Sequence, residues 1–224
     1  AKDAWRGPEQ AIIILGTLDH EPAAPQLFEW LDHRRPEVAI AAGWALRKLA
    51  IVDTLPDMFA QAEQRTKLYR DEGSGVNQII VEGQLSQLFQ AFGEMDYEEA
   101  ETLMRTFIPK NSISPEEARA AAVWAIGKLK EGKLDEPLAS ILAKRLSDVK
   151  SENPELETVR RMSAIAIGRM KAESQLSALR EFVGEAPSFP GQACAWSLEG
   201  ITGEIHEFSF QRAVQSTDWF LAPR

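Results

Sequence analysis

Four times this chain places Pro-Glu at the head of an apolar helical stripe: Pro8-Glu9, Pro36-Glu37, Pro115-Glu116 and Pro154-Glu155. Proline presets φ for a first helical turn, and glutamate opposes the positive end of the helix. A start signal that recurs with loose spacing points to stacked helical repeats rather than one globular core. Three of the six tryptophans, Trp44, Trp124 and Trp196, stand two residues before a Leu or Ile in the body of such a stripe.

The stripe from Pro36 to Ala50 is the fullest. Val38, Ala42, Ala45 and Leu49 follow the i, i+4, i+7, i+11 spacing of one helix face, with Ala41 and Leu46 beside them. It recurs at Ala118, Ala122, Ala125, Ile126 and Leu129, behind the capping box Ser114-Pro115-Glu116-Glu117. It recurs again at Val159, Ser163, Ala166, Ile167 and Met170, behind Asn153-Pro154. Anchored on the Leu/Ile position, the units centre on Leu15, Leu46, Phe89, Ile126, Ile167 and Leu198, in steps of 31, 43, 37, 41 and 31 residues. Units of that size are helical hairpins, each an A helix followed by a B helix. The B helices are expected near 23–32, 55–69, 97–108, 136–149 and 174–183. The third A helix, near 76–92, lacks the Pro-Glu start, and Gly73-Ser74-Gly75 before it reads as an elbow.

Composition agrees. Two tyrosines and few β-branched runs argue against an all-β fold, while the alanine, leucine and glutamate content favours helix. The net charge of −9 disfavours tight nonspecific binding to nucleic acid, because phosphate neutralisation supplies most of that affinity. The charge is uneven: residues 101–171 carry 13 basic and 10 acidic groups, and both flanks are acidic. A single cysteine, Cys194, forms no internal disulfide. No apolar run approaches the roughly 20 residues of a membrane span. The expected compartment is the cytoplasm, and the start at Ala1 suggests a domain excised from a longer chain.

The repeats resemble HEAT-like repeats of the bacterial type, those of phycobilisome-lyase relatives. That pattern runs Pro-Glu, Val-Arg, a small-residue stretch, then Ala-Leu-Gly-Lys-Leu. Here Ala118-Arg119 leads to Ala125-Ile126-Gly127-Lys128-Leu129, and Val159-Arg160 leads to Ala166-Ile167-Gly168-Arg169-Met170. Leu15-Gly16-Thr17-Leu18 is a shortened echo, whereas Arg47 replaces the usual glycine and Ala39 the usual arginine. The resemblance implies an all-α, right-handed α-α superhelix (a solenoid) of about six HEAT-like hairpins. They fall near 8–34, 35–72, 74–110, 114–150, 153–185 and 188–224, in one domain over 1–224. It also implies that Arg119 and Arg160 donate hydrogen bonds between repeats, and that the B helices line the concave face. Arg65, Lys144, Arg145 and Arg180 are the candidate contacts there.

Other residues carry competing readings. Lys48, Lys128 and Arg169 align near the carboxyl ends of A helices, as complements to the helix dipole or as a basic ridge for an acidic ligand. Arg160-Arg161, Lys144-Arg145 and Lys130 would enlarge such a ridge. Trp44, Trp124 and Trp196 flank the apolar arc, which predicts packing against the neighbouring repeat rather than an aromatic row for a partner. Glu94, Asp96, Glu98, Glu99 and Glu101 crowd the turn into the third B helix, as a solvated helix start or a patch for a basic segment. His20-Glu21 and His206-Glu207 resemble the His-Glu pairs of deoxyhypusine hydroxylase, a HEAT-like di-iron enzyme. They stand near opposite ends of the array, too far apart to share a metal. Phe208, Phe210, Trp219 and Phe220 suit a lid over the last repeat, or a docking segment.

The expected function is a noncatalytic protein-binding scaffold or adaptor, with no cofactor or metal. Its partner is another protein, or another domain of the same longer chain. Two alternatives are a nucleic-acid-binding protein of the HEAT-like alkylpurine DNA glycosylase type and a bilin-lyase-like enzyme.

Overall fold

Residues 4–72, 77–110, 116–183 and 188–206 are described by the computed structural model. The Gly73-Ser74-Gly75 elbow, the Ser114-Pro115 start and the tail aromatics Phe208, Phe210, Trp219 and Phe220 lie outside those residues, as does Glu207.

Every described residue outside the connections is helical, and there is no strand among them. The A helices are α1 (Arg6–Thr17), α3 (Pro36–Leu49), α5 (Gln78–Glu94), α7 (Glu116–Leu129), α9 (Glu157–Arg169) and α11 (Phe189–Thr202). The B helices are α2 (Ala24–Leu31), α4 (Leu55–Glu72), α6 (Glu101–Arg105), α8 (Glu136–Leu146) and α10 (Leu176–Val183). Each A helix packs on the next A helix in chain order, α1 on α3 through to α9 on α11. Each B helix packs chiefly on the A helix that follows it. One continuous apolar core runs through the pairs, from Ile12 to Leu198. No described helix is long and apolar enough to cross a membrane.

The A helices approach closely because small residues face each other. A Cβ on Gly127 of α7 would stand 2.9 Å from the Ala166 Cα of α9, and one on Gly168 of α9 would stand 2.9 Å from the Ser197 Cα of α11. Gly16 meets Ala45, and Gly93 meets Ala125, at the same place. Trp44 and Trp124 lie across the joints made by Gly16 and Gly93 and are each 5% exposed. Trp196 stands at the same place in α11, the last described helix, and is 44% exposed. The packing reading of the first two tryptophans therefore holds.

The turn from A to B also recurs, in four of the five A-to-B connections. Asp19, Ala50, Asp96 and Lys171 all have positive φ, between 49° and 56°. Each stands four residues after Leu15, Leu46, Phe92 or Ile167, and a short 3-10 turn begins two residues later. The backbone N–H groups of His20, Tyr97 and Ala172 donate to the carbonyls of Leu15, Phe92 and Ile167 at 3.0, 2.9 and 3.2 Å. This corrects the third unit: its anchor is Phe92, not Phe89. The apolar stripe misled because α5 is buried nearly all round. Val81, Leu85, Leu88 and Phe89 are buried, and so are Gln84, Ser86, Gln87 and Gln90. A helix surrounded by neighbours has no polar face to mark its register.

A second correction concerns Asn153-Pro154. The helix starts three residues beyond that proline, at Glu157. Glu155 is turned inward instead, where it meets Arg119 and accepts the Leu156 N–H at 3.0 Å.

Candidate functional site

The last turns of four A helices converge on one recess. Arg47 and Lys48 come from α3, Glu94 from α5, Lys128 and the Trp124 ring from α7, and Arg169 from α9, with Ala50 at the edge. They line a cavity of about 240 Å³. Gly93 makes room for the indole: a Cβ there would stand 3.2 Å from Trp124 Cζ3. The Arg169 guanidinium covers the ring at 5.1 Å from its centroid and donates from Nη1 to the Trp124 carbonyl at 3.2 Å. Arg47 donates from Nε to Gln87 Oε1 at 3.0 Å and from Nη1 to Glu94 Oε1 at 2.8 Å. Lys128 Nζ is 3.5 Å from the Glu131 carboxylate, which is well exposed.

Among the described residues, four cations and one carboxylate thus line a single recess on a chain of net charge −9. Helix carboxyl ends favour last-turn cations by about 0.3–1 kcal/mol each. That suffices for Lys48 and Lys128, but not for Arg169. Its side chain is buried, and the carbonyl it meets belongs to the body of α7 rather than its open end. No carboxylate oxygen lies within 4.0 Å of it among the described residues. Burial pushes its guanidinium below the ordinary arginine range, with Glu131 pulling the other way. A buried charge without a close counterion is the least favourable member of the lining.

No protein-family model matches the chain, and comparison with curated proteins finds no match. The residues and their placement carry the functional reading.

The aligned trio Lys48, Lys128 and Arg169 does come together. The residues expected to enlarge the ridge do not join it. Arg160 donates to the Leu146 carbonyl at 2.8 Å and covers Phe182, Arg161 covers Phe189, and Lys130 pairs with Glu101 at 2.8 Å. Arg47 and Glu94 are lining residues that the alignment passed over, Arg47 as a mere replacement for glycine. Glu94 belongs to the acidic turn, whose members mostly face cations: Glu94 meets Arg47, Glu98 meets Lys133, and Glu101 meets Arg105 and Lys130.

The B-helix candidates differ in what they offer. Lys144 is exposed. Arg180 is half exposed and pairs with Glu204. Arg145 reaches Glu155 at 3.4 Å. Arg65 turns inward, pairing with Asp32 and donating to the Leu31 carbonyl at 3.4 Å with only 12% of its side chain exposed. Trp219 lies outside the described residues. Cys194 is buried in α11. His20 stands just after α1 and His206 just after α11, at opposite ends of the helix order.

Proposed function

We propose that this chain is a noncatalytic interaction scaffold built from HEAT-like repeats, its helix pairs forming a right-handed superhelix that presents the B helices to a partner protein. The observation that carries this reading is recurrence. The same glycine-to-small-residue joint and the same A-to-B turn return along the chain, and each A helix packs on its chain neighbour. Such stacking leaves a long preshaped surface, suited to many moderate contacts rather than one deep pocket.

The charge pattern supports a protein partner over nucleic acid. About half of the basic residues of 101–171 are paired with carboxylates within the fold. Arg105 meets Glu101 and Asp135, Lys110 meets Asp148, Arg119 meets Glu155, and Lys133 meets Glu98. Cations already neutralised add little to counterion release on binding a phosphate backbone.

The test is a reconstituted complex. A partner captured from the host is purified and titrated against the full chain and against Lys144→Glu and Arg180→Glu. We expect each reversal to weaken binding by about tenfold with the thermal melt unchanged, and hydrogen exchange to slow across the B helices on binding. A partner that protects only the A helices, and is indifferent to both reversals, would remove the reading.

A further inference from the structure

We infer that the recess between the carboxyl ends of α3, α5, α7 and α9 is a binding site for a phosphoryl group. Its lining brings Arg47, Lys48, Lys128 and Arg169 to one cavity, with Glu94 as the single carboxylate among the described residues. The cavity, about 240 Å³, is below the range of pockets that engulf drug-sized ligands. It fits a compact anion or the tip of one side chain.

Arg169 decides the matter. Its guanidinium is buried, held over the Trp124 ring, and lines the cavity with no carboxylate oxygen within 4.0 Å among the described residues. A fixed, planar donor fork that is already desolvated is preorganised for an oxyanion. Lys128 stands in the same lining, held only loosely by exposed Glu131 at 3.5 Å. Four cations set against Glu94, with Glu131 beside Lys128, favour a multiply charged anion over a single carboxylate. Phosphate, at about −1.5 to −2, matches both the charge and the size. The helix dipole provides for a cation at each helix end, but it gives no reason to gather these four around a cavity, or to bury Arg169 against an indole.

This site would exist whether or not the B helices bind a protein, so the two proposals fail separately. The phosphoryl group has two sources, a free phosphate or a phosphorylated side chain of a partner, and the test separates them. The full chain is titrated at low ionic strength with inorganic phosphate, with phosphoserine and with acetate, following backbone amide shifts by NMR. We expect saturable one-to-one binding of phosphate and phosphoserine, with shifts centred on Arg47, Lys48, Lys128 and Arg169, and acetate at least about tenfold weaker. Tighter phosphoserine points to a phosphorylated partner, and tighter phosphate to the free ion. Arg169→Gln should weaken phosphate by about tenfold or more. Lys128→Gln, at a partly exposed position where folding is not at issue, should weaken it several-fold. Glu94→Gln should tighten it, an opposite sign that a purely structural role does not produce. No saturable shift up to tens of millimolar phosphate, acetate binding as well as phosphate, or equal binding by Lys128→Gln and Glu94→Gln would each overturn the assignment.

Discussion

Arg119 illustrates how a single side chain can tie successive helix pairs. It lies in α7, donates from Nη1 and Nη2 to both oxygens of Glu155 at 2.7 Å, and also bonds the Phe107 and Ile108 carbonyls at 3.2 and 3.3 Å. Both partners are buried, so each needs the other. Burial raises the Glu155 carboxyl, but the Arg119 hydrogen bonds, the Leu156 N–H and the charges of Arg119 and Arg145 outweigh it, leaving the pKa below its ordinary 4.5. A carboxyl held lower in the folded state stabilises the fold fully above the unfolded value. That contribution is lost as pH falls through the depressed folded value. Glu155→Gln should therefore cost about 3 kcal/mol in urea unfolding at pH 7, with the gap to the parent narrowing steadily below pH 4.5. A gap that stays constant into acid would show that the carboxylate charge contributes nothing. Glycines give a second pair of outcomes. Gly127→Ala drives a Cβ to 2.9 Å from the Ala166 backbone, which has no rotamer to yield, so a loss of about 1–3 kcal/mol is expected. Gly200→Ala meets nothing closer than Lys171 Nζ at 3.7 Å, and should gain about 0.5–1 kcal/mol from helix propensity alone. Thermal melts of the two variants should move in opposite directions.

The elements repeat a turn more faithfully than they repeat a stripe. Ala50 occupies the left-handed position with φ 49°, where a Cβ is disfavoured. Ala50→Gly should stabilise by about 1 kcal/mol, read as a shift in urea midpoint with an unchanged slope. A destabilised variant would mean that the extra freedom of glycine in the unfolded chain outweighs the relief. The helices themselves were legible from apolar spacing: the stripe 36–50 is α3 to within a residue, and the second B helix begins at Leu55 as the pattern required. The third B helix is shorter than the expected 97–108. Only Glu101–Arg105 is α-helical there, with a 3-10 turn before it. The register of α5 was not legible from apolar residues, because its Gln84 and Gln87 take the places that Val38 and Ala41 hold in α3. Yet Leu15-Gly16-Thr17-Leu18-Asp19-His20-Glu21 and Phe92-Gly93-Glu94-Met95-Asp96-Tyr97-Glu98 share a glycine, an aspartate and a glutamate at matching places. The aspartates tolerate the left-handed turn. Reading the turn first would have set Glu94 beside Lys48, Lys128 and Arg169, and so the recess. The tertiary pairing of Arg119 with Glu155 had no such local signal, since Pro154-Glu155 looks like a helix start.

At the scale of the whole molecule, the decisive question is how far a local injury spreads. In one globular core, damage to any contact lowers the stability of every helix together. In an array whose A helices pack chiefly on their chain neighbours, stability is largely a sum of unit and joint terms, so damage stays near the broken joint. Gly168 forms the joint between α9 and α11, and a Cβ there would come within 2.9 Å of the Ser197 Cα. Its hydroxyl is already held by the Ala164 carbonyl at 2.8 Å, so Ser197 has little room to retreat. Gly168→Ala should thus free α10 and α11 from the remainder. In hydrogen exchange their amides should speed by about ten- to a hundredfold, the equivalent of 1–3 kcal/mol, while α1 to α5 keep the protection of the parent protein. The recess, whose lining uses the last turn of α9 but nothing from α11, should retain its response to phosphate. Uniform acceleration from α1 through α11 would instead mean that the helix pairs fold as a single indivisible unit, and the repeated joints would then be ornaments of sequence rather than separate sources of cohesion.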